Sequence, residues 1–133
     1  MIVADGNLII YRHVGGTMSS LADAAVVKDA DWRTVPLWRF EMTSAVVKMI
    51  RAGVLAEAAG RAAMAAAARE LLRREVDVPQ ERALQVALRH GISAYDAQYI
   101  ALAEIAGVPC VTADAALAKK APALSILLSE YVK

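Results

Sequence analysis

Four short apolar segments separated by helical patterns constrain the fold of this chain more than any other feature. They are MIVA at 1–4, TVP at 34–36, VPCVT at 108–112 and SILL at 125–128, each bounded by turn or cap residues. Strands that alternate with helices form a parallel sheet covered by helices on both faces. We therefore predict an α/β fold in which MIVA is the central buried strand.

Six helices are predicted between and after these strands from apolar spacing and capping residues. They cover 17–28, 36–52, 56–74, Pro79 to about Arg89, 94–106 and a short stretch that follows Asp114 and ends before Pro122. Ser93 caps the fifth helix, and Gly107 ends it. Because the chain has 133 residues and neither repeat nor linker, we predict a single domain over 1–133.

Composition limits the classes of protein to which this chain can belong. Although 58% of the residues are hydrophobic, no uncharged run approaches the roughly 18 to 20 residues of a membrane-spanning helix. A net charge of +1 gives no broad attraction to nucleic acid, so a polyanionic partner would have to be bound locally. The single cysteine, Cys110, suits a packing role. The first residues form a strand rather than a signal sequence, so we predict a cytoplasmic protein without membrane contact.

Two aspartates directly follow predicted strands. Asp5 ends the first strand and Asp114 lies just past the third. In open parallel sheets, ligands bind beyond the carboxyl ends of the strands, so both carboxylates are expected at that rim. An aspartate between a strand and a helix is also often only an N-cap, and this alternative stays open for each.

Two further carboxylates lie on predicted helices. Asp96 has the capping-box spacing from Ser93, yet residues stacked on it, such as Ile100, form an apolar face that directs the charge inward. A lone buried carboxylate is costly unless it is paired or bound to a metal. Glu41 has no basic residue three or four positions away. The alternative to a functional role for Glu41 is that it is a partly solvated glutamate beside Ser44.

Carboxylates that converge on one rim repel one another unless a cation lies between them. Oxygen ligands in this number favour Mg²⁺ or Mn²⁺. Zinc is disfavoured because the chain has no paired-histidine or cysteine motif, and we interpret His13 and His90 as surface or cap residues. The predicted metal ligands are Asp5, Glu41, Asp96 and Asp114.

Four stretches of sequence resemble one known family. They are the first strand with Asp5 and Asn7, PLWRFE ending in Glu41, ISAYDAQYIALA with Asp96 and VTADAALA with Asp114. Together they span nearly the whole chain and resemble the PIN domain, most closely the small VapC-type toxins of bacterial toxin–antitoxin pairs. The resemblance implies a PIN-like three-layer α/β/α fold with a short central parallel sheet.

The same resemblance implies an activity. Members of the family are Mg²⁺- or Mn²⁺-dependent endoribonucleases that cut single-stranded or structured RNA and are held inactive by a cognate antitoxin. The four acidic residues fall where the family places its acidic quartet. One or two metal ions would activate a water molecule and neutralise the scissile phosphate, so that water rather than a side chain attacks the RNA. Arg12, Lys48 and Lys119 could steer RNA, with an ordinary surface role as the default.

Two residues depart from the family pattern. Gly6 stands where many members have Thr or Ser, and Ser44 stands where Asn often follows the glutamate by three. Asn7 and Thr112 remain as supporting residues that could orient carboxylates or water, besides ordinary roles in an Asx-turn and at a strand end. The alternative function is therefore a catalytically inactive PIN-like binding module.

Small and apolar residues on two predicted helices indicate a protein partner. The helix over 56–74 is rich in alanine, and Leu21, Ala25 and Val26 form an apolar strip on the helix over 17–28. We expect these helices to leave an apolar groove near the acidic rim, covered by homodimerisation and by the antitoxin. By resemblance, the antitoxin would present a basic side chain to the carboxylates. The alternative is that the alanine-rich helix simply packs on its own sheet.

Overall fold

The computed structural model describes residues 1–133, and strands and helices alternate along it. The strands are β1 (Ile2–Ala4), β2 (Trp32–Arg33), β3 (Cys110–Thr112) and β4 (Ser125–Leu127). The helices are α1 (Gly6–Val14), α2 (Ser19–Lys28), α3 (Trp38–Arg51), α4 (Glu57–Glu70), α5 (Gln80–His90), α6 (Ala94–Ala106), α7 (Ala115–Lys120) and α8 (Leu128–Tyr131).

The four strands form one sheet in the order β2-β1-β3-β4, and every pairing is parallel. Val3 of β1 pairs with Cys110 of β3, and Ala4 pairs with Val111. The first strand is thus enclosed between β2 and β3, and its residues are buried. The prediction of a short parallel sheet with MIVA inside it is confirmed.

Helices cover both faces of this sheet because side chains along each strand alternate in direction. Ile2 and Ala4 belong to a buried cluster on one face, to which α1, α3 and α4 contribute. Val3 and Cys110 belong to a second cluster on the other face, formed with α5, α6 and α7. The molecule therefore has the expected three-layer α/β/α architecture.

Two helices and one strand differ from the sequence expectations. The helix α1 was not predicted, since Gly6 at its start and its β-branched residues are poor helix formers. It is held instead by packing, with Leu8 and Ile9 almost fully buried. The four-residue α8 was also missed. The strand expected at 34–36 lies earlier, at Trp32–Arg33, and Thr34 forms an isolated bridge with Glu75.

The helices expected to leave a groove pack more closely than predicted. Ala25 is fully buried, and Leu21 and Val26 pack against the same core cluster, so the strip on α2 belongs to the interior. An apolar groove of about 170 Å³ lies instead between α3 and α4, where Met42 and Met64 line it. None of the helices combines the length and apolar character that crossing a membrane requires.

Candidate active site

The order of the strands creates a point where chain connections diverge. The chain leaves β1 to reach β2 on one side, whereas β3 pairs with β1 on the other side. Such a switch point, beyond the carboxyl ends of the strands, is where open parallel sheets bind ligands. Asp5 lies there, and its backbone N–H continues the sheet by donating to the carbonyl of Val111 at 3.1 Å.

The Asp5 carboxylate is held in place by neutral donors. Thr112 Oγ1 donates to Asp5 Oδ2 at 2.6 Å, and Asn7 Nδ2 donates to the same oxygen at 3.2 Å. Only 5% of the residue is exposed. Burial, followed by the charges of Glu41 and Asp96, raises the pKa of Asp5 to about 7, although the Thr112 hydrogen bond acts to lower it. The site thus disfavours the carboxylate form of Asp5 unless a cation is present.

Asn7 and Thr112 connect the ends of the two central strands. Asn7 Oδ1 accepts from the backbone N–H of Ala113 at 3.1 Å, so its amide bridges to β3 rather than forming a local turn. Thr112 Oγ1 accepts from the backbone N–H of Asp114 at 3.0 Å. The single hydroxyl proton of Thr112 is donated to Asp5. This hydrogen bond runs from the end of β3 to the end of β1, so it fixes the orientation of the Asp5 carboxylate.

Glu41 projects from α3 and is bound by Tyr99. The buried Tyr99 hydroxyl donates to Glu41 Oε1. Partial burial and the nearby charge of Asp96 raise the pKa of Glu41, while the tyrosine hydrogen bond opposes that shift. Burial also raises the pKa of Tyr99, which keeps its hydroxyl protonated as a donor.

Gly6 provides the space in which this pair meets. A Cβ atom at position 6 would lie 2.8 Å from Glu41 Oε1 and 2.9 Å from the Tyr99 hydroxyl oxygen. Real Cβ atoms essentially never approach other atoms so closely. The contact between Tyr99 and Glu41 thus requires a residue without a side chain at position 6. This requirement accounts for the departure from the family pattern at Gly6.

Asp96 lies in the first turn of α6 and points its charge toward the cleft. Ser93 caps the helix by accepting from the backbone N–H of Asp96 at 3.0 Å, as the capping interpretation expected. The carboxylate itself lines the cleft. Partial burial and the charge of Asp114 raise the pKa of Asp96, while Ser93 and Lys120 act to lower it. The cap and the inward charge therefore coexist.

Asp114 also combines two roles. Its Oδ1 accepts from the backbone N–H groups of Ala116 at 2.9 Å and Leu117 at 3.2 Å, which caps α7. The residue is exposed and lines the same cleft as Asp5. The N-cap alternative is thus observed, and one carboxylate oxygen remains outside the capping contacts.

All four predicted carboxylates line one cleft of about 630 Å³. Polar and aromatic residues also line this cleft, among them Asn7, Lys48, Ser93, Phe40 and Tyr95. None of the four acids forms an ion pair, although most of the chain's other carboxylates do. The cleft therefore groups four acidic side chains without ion-pair partners at the switch point of the sheet.

The basic residues named from sequence have different surroundings. Lys48 is exposed and lines the cleft. Arg12 is instead engaged by Asp23 at 2.7 Å and by Glu70 at 3.6 Å. Lys119 does not line the cleft. Of the three, only Lys48 is placed to meet a phosphate in the cleft.

The donor set fits a hard divalent cation, although the side chains do not close around one point. No three acidic, histidine or cysteine side chains are close enough together to hold a metal alone. Mg²⁺ nevertheless keeps several water ligands and commonly uses only one or two protein carboxylates together with substrate phosphates. The donors are all oxygen atoms, and burial together with the neighbouring acidic groups raises the pKa values of Asp5, Glu41 and Asp96.

The remaining candidate residues lie away from the cleft. Cys110 is fully buried in the second core cluster, as its predicted packing role requires. His13, interpreted from the sequence as a surface or cap residue, lies in the last turn of α1, where only 8% of its side chain is exposed. It lies 3.3 Å from Glu70, and burial lowers its pKa.

Sequence reasoning missed three aromatic residues around the acids. Tyr99 lies in the ISAYDAQYIALA stretch, and its contact with Glu41 joins residues 58 positions apart, which no local pattern predicts. Phe40 and Tyr95 each precede a predicted ligand and line the cleft. Their position beside acidic residues was the available sequence signal, but their exposure could not be read from it.

Comparisons with known proteins agree with the geometry. The family model described as "PIN domain" matches residues 2–122. The chain is 32% identical over 126 residues to Ribonuclease VapC3 from Pyrobaculum aerophilum, a match covering 92% of this chain and 96% of that protein. The fold is similar to the crystal structure of PAE2754 from Pyrobaculum aerophilum, with a TM-score of 0.78 and 21% identity. That match covers 98% of this chain and 91% of the other.

Proposed function

The chain belongs to the PIN-domain family, and on that premise we propose that it is a Mg²⁺- or Mn²⁺-dependent endoribonuclease, the toxin of a type II toxin–antitoxin pair. One observation carries the proposal: four carboxylates without ion pairs line one cleft at the switch point of the sheet. The similarity to a ribonuclease over most of the chain supports the same reaction class.

We assign metal binding to the predicted quartet. The proposed ligands and catalytic residues are Asp5, Glu41, Asp96 and Asp114. These residues would hold a divalent cation, which would supply an activated water for hydrolysis of the phosphodiester and charge neutralisation at the phosphate. An acidic cleft accepts a phosphate only when cations offset its charge, which explains why the quartet needs no basic partners.

Neighbouring side chains of the protein would set the geometry for this chemistry. Thr112 and Asn7 hold Oδ2 of Asp5 and thereby orient the carboxylate toward the cleft. Tyr99 fixes Glu41 in the same way from the opposite layer of the fold. Lys48, exposed on the wall of the cleft, would contact an RNA phosphate next to the one being cut.

The alternative function, an inactive binding module, was suggested by the departures from the family pattern at Gly6 and Ser44. The space at Gly6 is filled by the Glu41–Tyr99 contact, which favours an intact site over a decayed one. Ser44 lines the cleft without a hydrogen-bonded partner among the acids. The active enzyme is thus the function that the geometry supports better.

The partners follow from the same assignment. We propose that residues 1–133 act as one cytoplasmic domain, that the protein forms a homodimer, and that a cognate antitoxin inhibits it. The groove between α3 and α4 would take a side chain of such a partner, with the buried Trp38 and Met42 beneath it and the half-buried Met64 beside it. A basic side chain of the antitoxin placed in the cleft would compensate the carboxylates in place of the metal.

Cleavage of labelled RNA by the purified protein tests the proposed function. We expect cleavage in Mg²⁺ or Mn²⁺, none in excess EDTA, and none by Asp96→Asn in either metal. Asp77→Asn is the matched control, since Asp77 is an exposed aspartate that does not line the cleft. Undiminished cleavage in EDTA would contradict a metal-dependent mechanism, and undiminished cleavage by Asp96→Asn would contradict the site.

A further inference from the structure

The two most exposed aromatic residues of this protein both line the cleft. The chain has one phenylalanine, two tryptophans and four tyrosines. Trp32, Trp38 and Tyr99 are buried, and Tyr11 and Tyr131 are partly buried. Phe40 is 73% exposed and Tyr95 is 67% exposed, and both line the acidic cleft. We call these two residues the aromatic rim.

The two rings reach the cleft from opposite layers of the fold. Phe40 lies on α3, whose residues Trp38 and Met42 pack in the first core cluster. Tyr95 lies on α6, whose residue Ile100 packs in the second cluster. Each ring immediately precedes a proposed metal ligand, and both rings line the cleft that contains those ligands.

Neither packing nor electrostatics explains the exposure of these rings. The core is complete without them, since neither belongs to a core cluster. The net charge of +1 gives little general attraction for a polyanion, so a nucleic acid must be held by local contacts. Aromatic rings supply such contacts, because unpaired bases stack on them in proteins that bind single-stranded nucleic acid.

We propose that Phe40 and Tyr95 are the residues that stack on unpaired bases flanking the phosphodiester to be cut. This inference rests on the proposed function. In it, the carboxylates engage the scissile phosphate through metal, Lys48 contacts a neighbouring phosphate, and the rim binds the bases. Bases inside a duplex are stacked on one another and present no face to these rings.

The test compares cleavage of a labelled single-stranded RNA of roughly 16 nucleotides with cleavage of the same strand annealed to its complement. Wild type is compared with Phe40→Ala, Tyr95→Ala and the double variant in Mg²⁺. Phe40→Tyr and Tyr95→Phe keep an aromatic face and serve as conservative variants. Leu88→Ala is the matched control, because Leu88 is 76% exposed and lies away from the cleft.

Each alanine variant should raise the KM for the single strand by about 5-fold to 100-fold, with a smaller change in kcat. The preference for single strand over duplex should fall, and the conservative variants should restore it. Thermal melting should remain that of the wild type, since both side chains are exposed. Unchanged behaviour of Leu88→Ala would show that the effect is specific to the rim.

Two results would overturn the inference. If the wild type cleaves RNA and the alanine variants keep its KM and strand preference, the rim does not bind bases although the proposed function stands. If the same variants lose affinity only for a purified antitoxin, the rim serves a protein partner instead. Absence of cleavage by the wild type in either metal would remove the proposed function and this inference together.

Discussion

Thr112 Oγ1 donates a hydrogen bond to Asp5 Oδ2 at 2.6 Å, joining two residues 107 positions apart in the sequence. The contact links the ends of the two central strands, and it opposes the effect of burial on the pKa of Asp5. In the proposed mechanism, it therefore determines both where a ligand oxygen points and at what pH that oxygen is available.

Replacement of Thr112 by valine should move the acid limb of the pH–activity profile upward. The variant keeps the shape of the side chain but removes the donor that lowers the pKa of Asp5, so a higher pH is needed to ionise the carboxylate. Hydrogen bonds to charged groups contribute about 1.5 to 3 kcal/mol, which corresponds to a shift of roughly one to two pH units. Cleavage rates of wild type and variant between acidic and alkaline pH measure this shift.

Thr112→Ser is the control for that experiment. Serine retains the hydroxyl, so its profile should stay near that of the wild type. An identical acid limb in Thr112→Val would show that this hydrogen bond does not govern the ionisation that limits activity.

Stability without metal should fall as pH rises, owing to Asp5. Its pKa in the folded protein is about 7 against an ordinary 3.8, so its stabilising contribution is complete below about pH 3.8 and is lost as the pH rises through 7. The full effect is on the order of 4 kcal/mol. Thermal melting of wild type and Asp5→Asn in EDTA, from about pH 4 to about pH 8, measures this loss of stability.

The variant should lose much of this pH dependence and melt at a higher temperature than the wild type at alkaline pH. Addition of Mn²⁺ should stabilise the wild type and leave Asp5→Asn nearly unchanged. Parallel melting curves for the two proteins across the pH range would show that Asp5 carries no such penalty.

Gly6→Ala should disrupt the Glu41–Tyr99 contact without unfolding the protein. The added Cβ atom would lie 2.8 Å from Glu41 Oε1. Gly6 lies in α1 and does not have a positive φ, so alanine suits its backbone. Misplacement of a reacting group by about 1 Å can reduce a rate on the order of 100-fold.

Cleavage rates of Gly6→Ala, Tyr99→Phe and the double variant test this coupling. The two changes disturb one contact, so the double variant should lose little more activity than either single variant. Fully additive losses would mean that Gly6 and Tyr99 act independently.

Asp114 should show separable structural and functional roles. Asp114→Ser keeps an oxygen acceptor for the N–H groups of Ala116 and Leu117, whereas Asp114→Ala removes the cap and should lower the free energy of unfolding by about 1 kcal/mol. Both variants should lose cleavage activity, because both remove the carboxylate. Denaturant unfolding measures the capping role of Asp114, and RNA cleavage measures its role in the active site. Full activity in Asp114→Ser would show that Asp114 serves only as a helix cap.

Local chemistry made part of this structure predictable from sequence. The cap at Ser93 and the left-handed glycine at Gly107 depend on neighbouring residues alone, and both occur where expected. The meeting of Asp5 and Asp114 at one rim followed from the way parallel strands align. The alternation of strands and helices was sufficient to predict the three-layer architecture, because few arrangements of such a chain cover both faces of a sheet with helices.

Contacts between distant residues made the rest unpredictable. The helix α1 lacks strong helix formers, and burial of Leu8 and Ile9 stabilises it. Gly6 stands out in the sequence only as a departure from a pattern, since its meaning depends on the packing of Tyr99 against Glu41. Exposure of Phe40 likewise depends on the tertiary arrangement around α3.

Calorimetric titration with Mn²⁺ tests the central claim, a divalent cation site formed by the carboxylates of the cleft, most directly. The experiment compares wild type with Asp5→Asn, Asp96→Asn and the control Asp77→Asn at neutral pH. We predict that Mn²⁺ binds to the wild type and to Asp77→Asn with equal affinity and that binding is lost in the other two variants. Absence of binding to the wild type, or undiminished binding to Asp5→Asn and Asp96→Asn, would contradict the account.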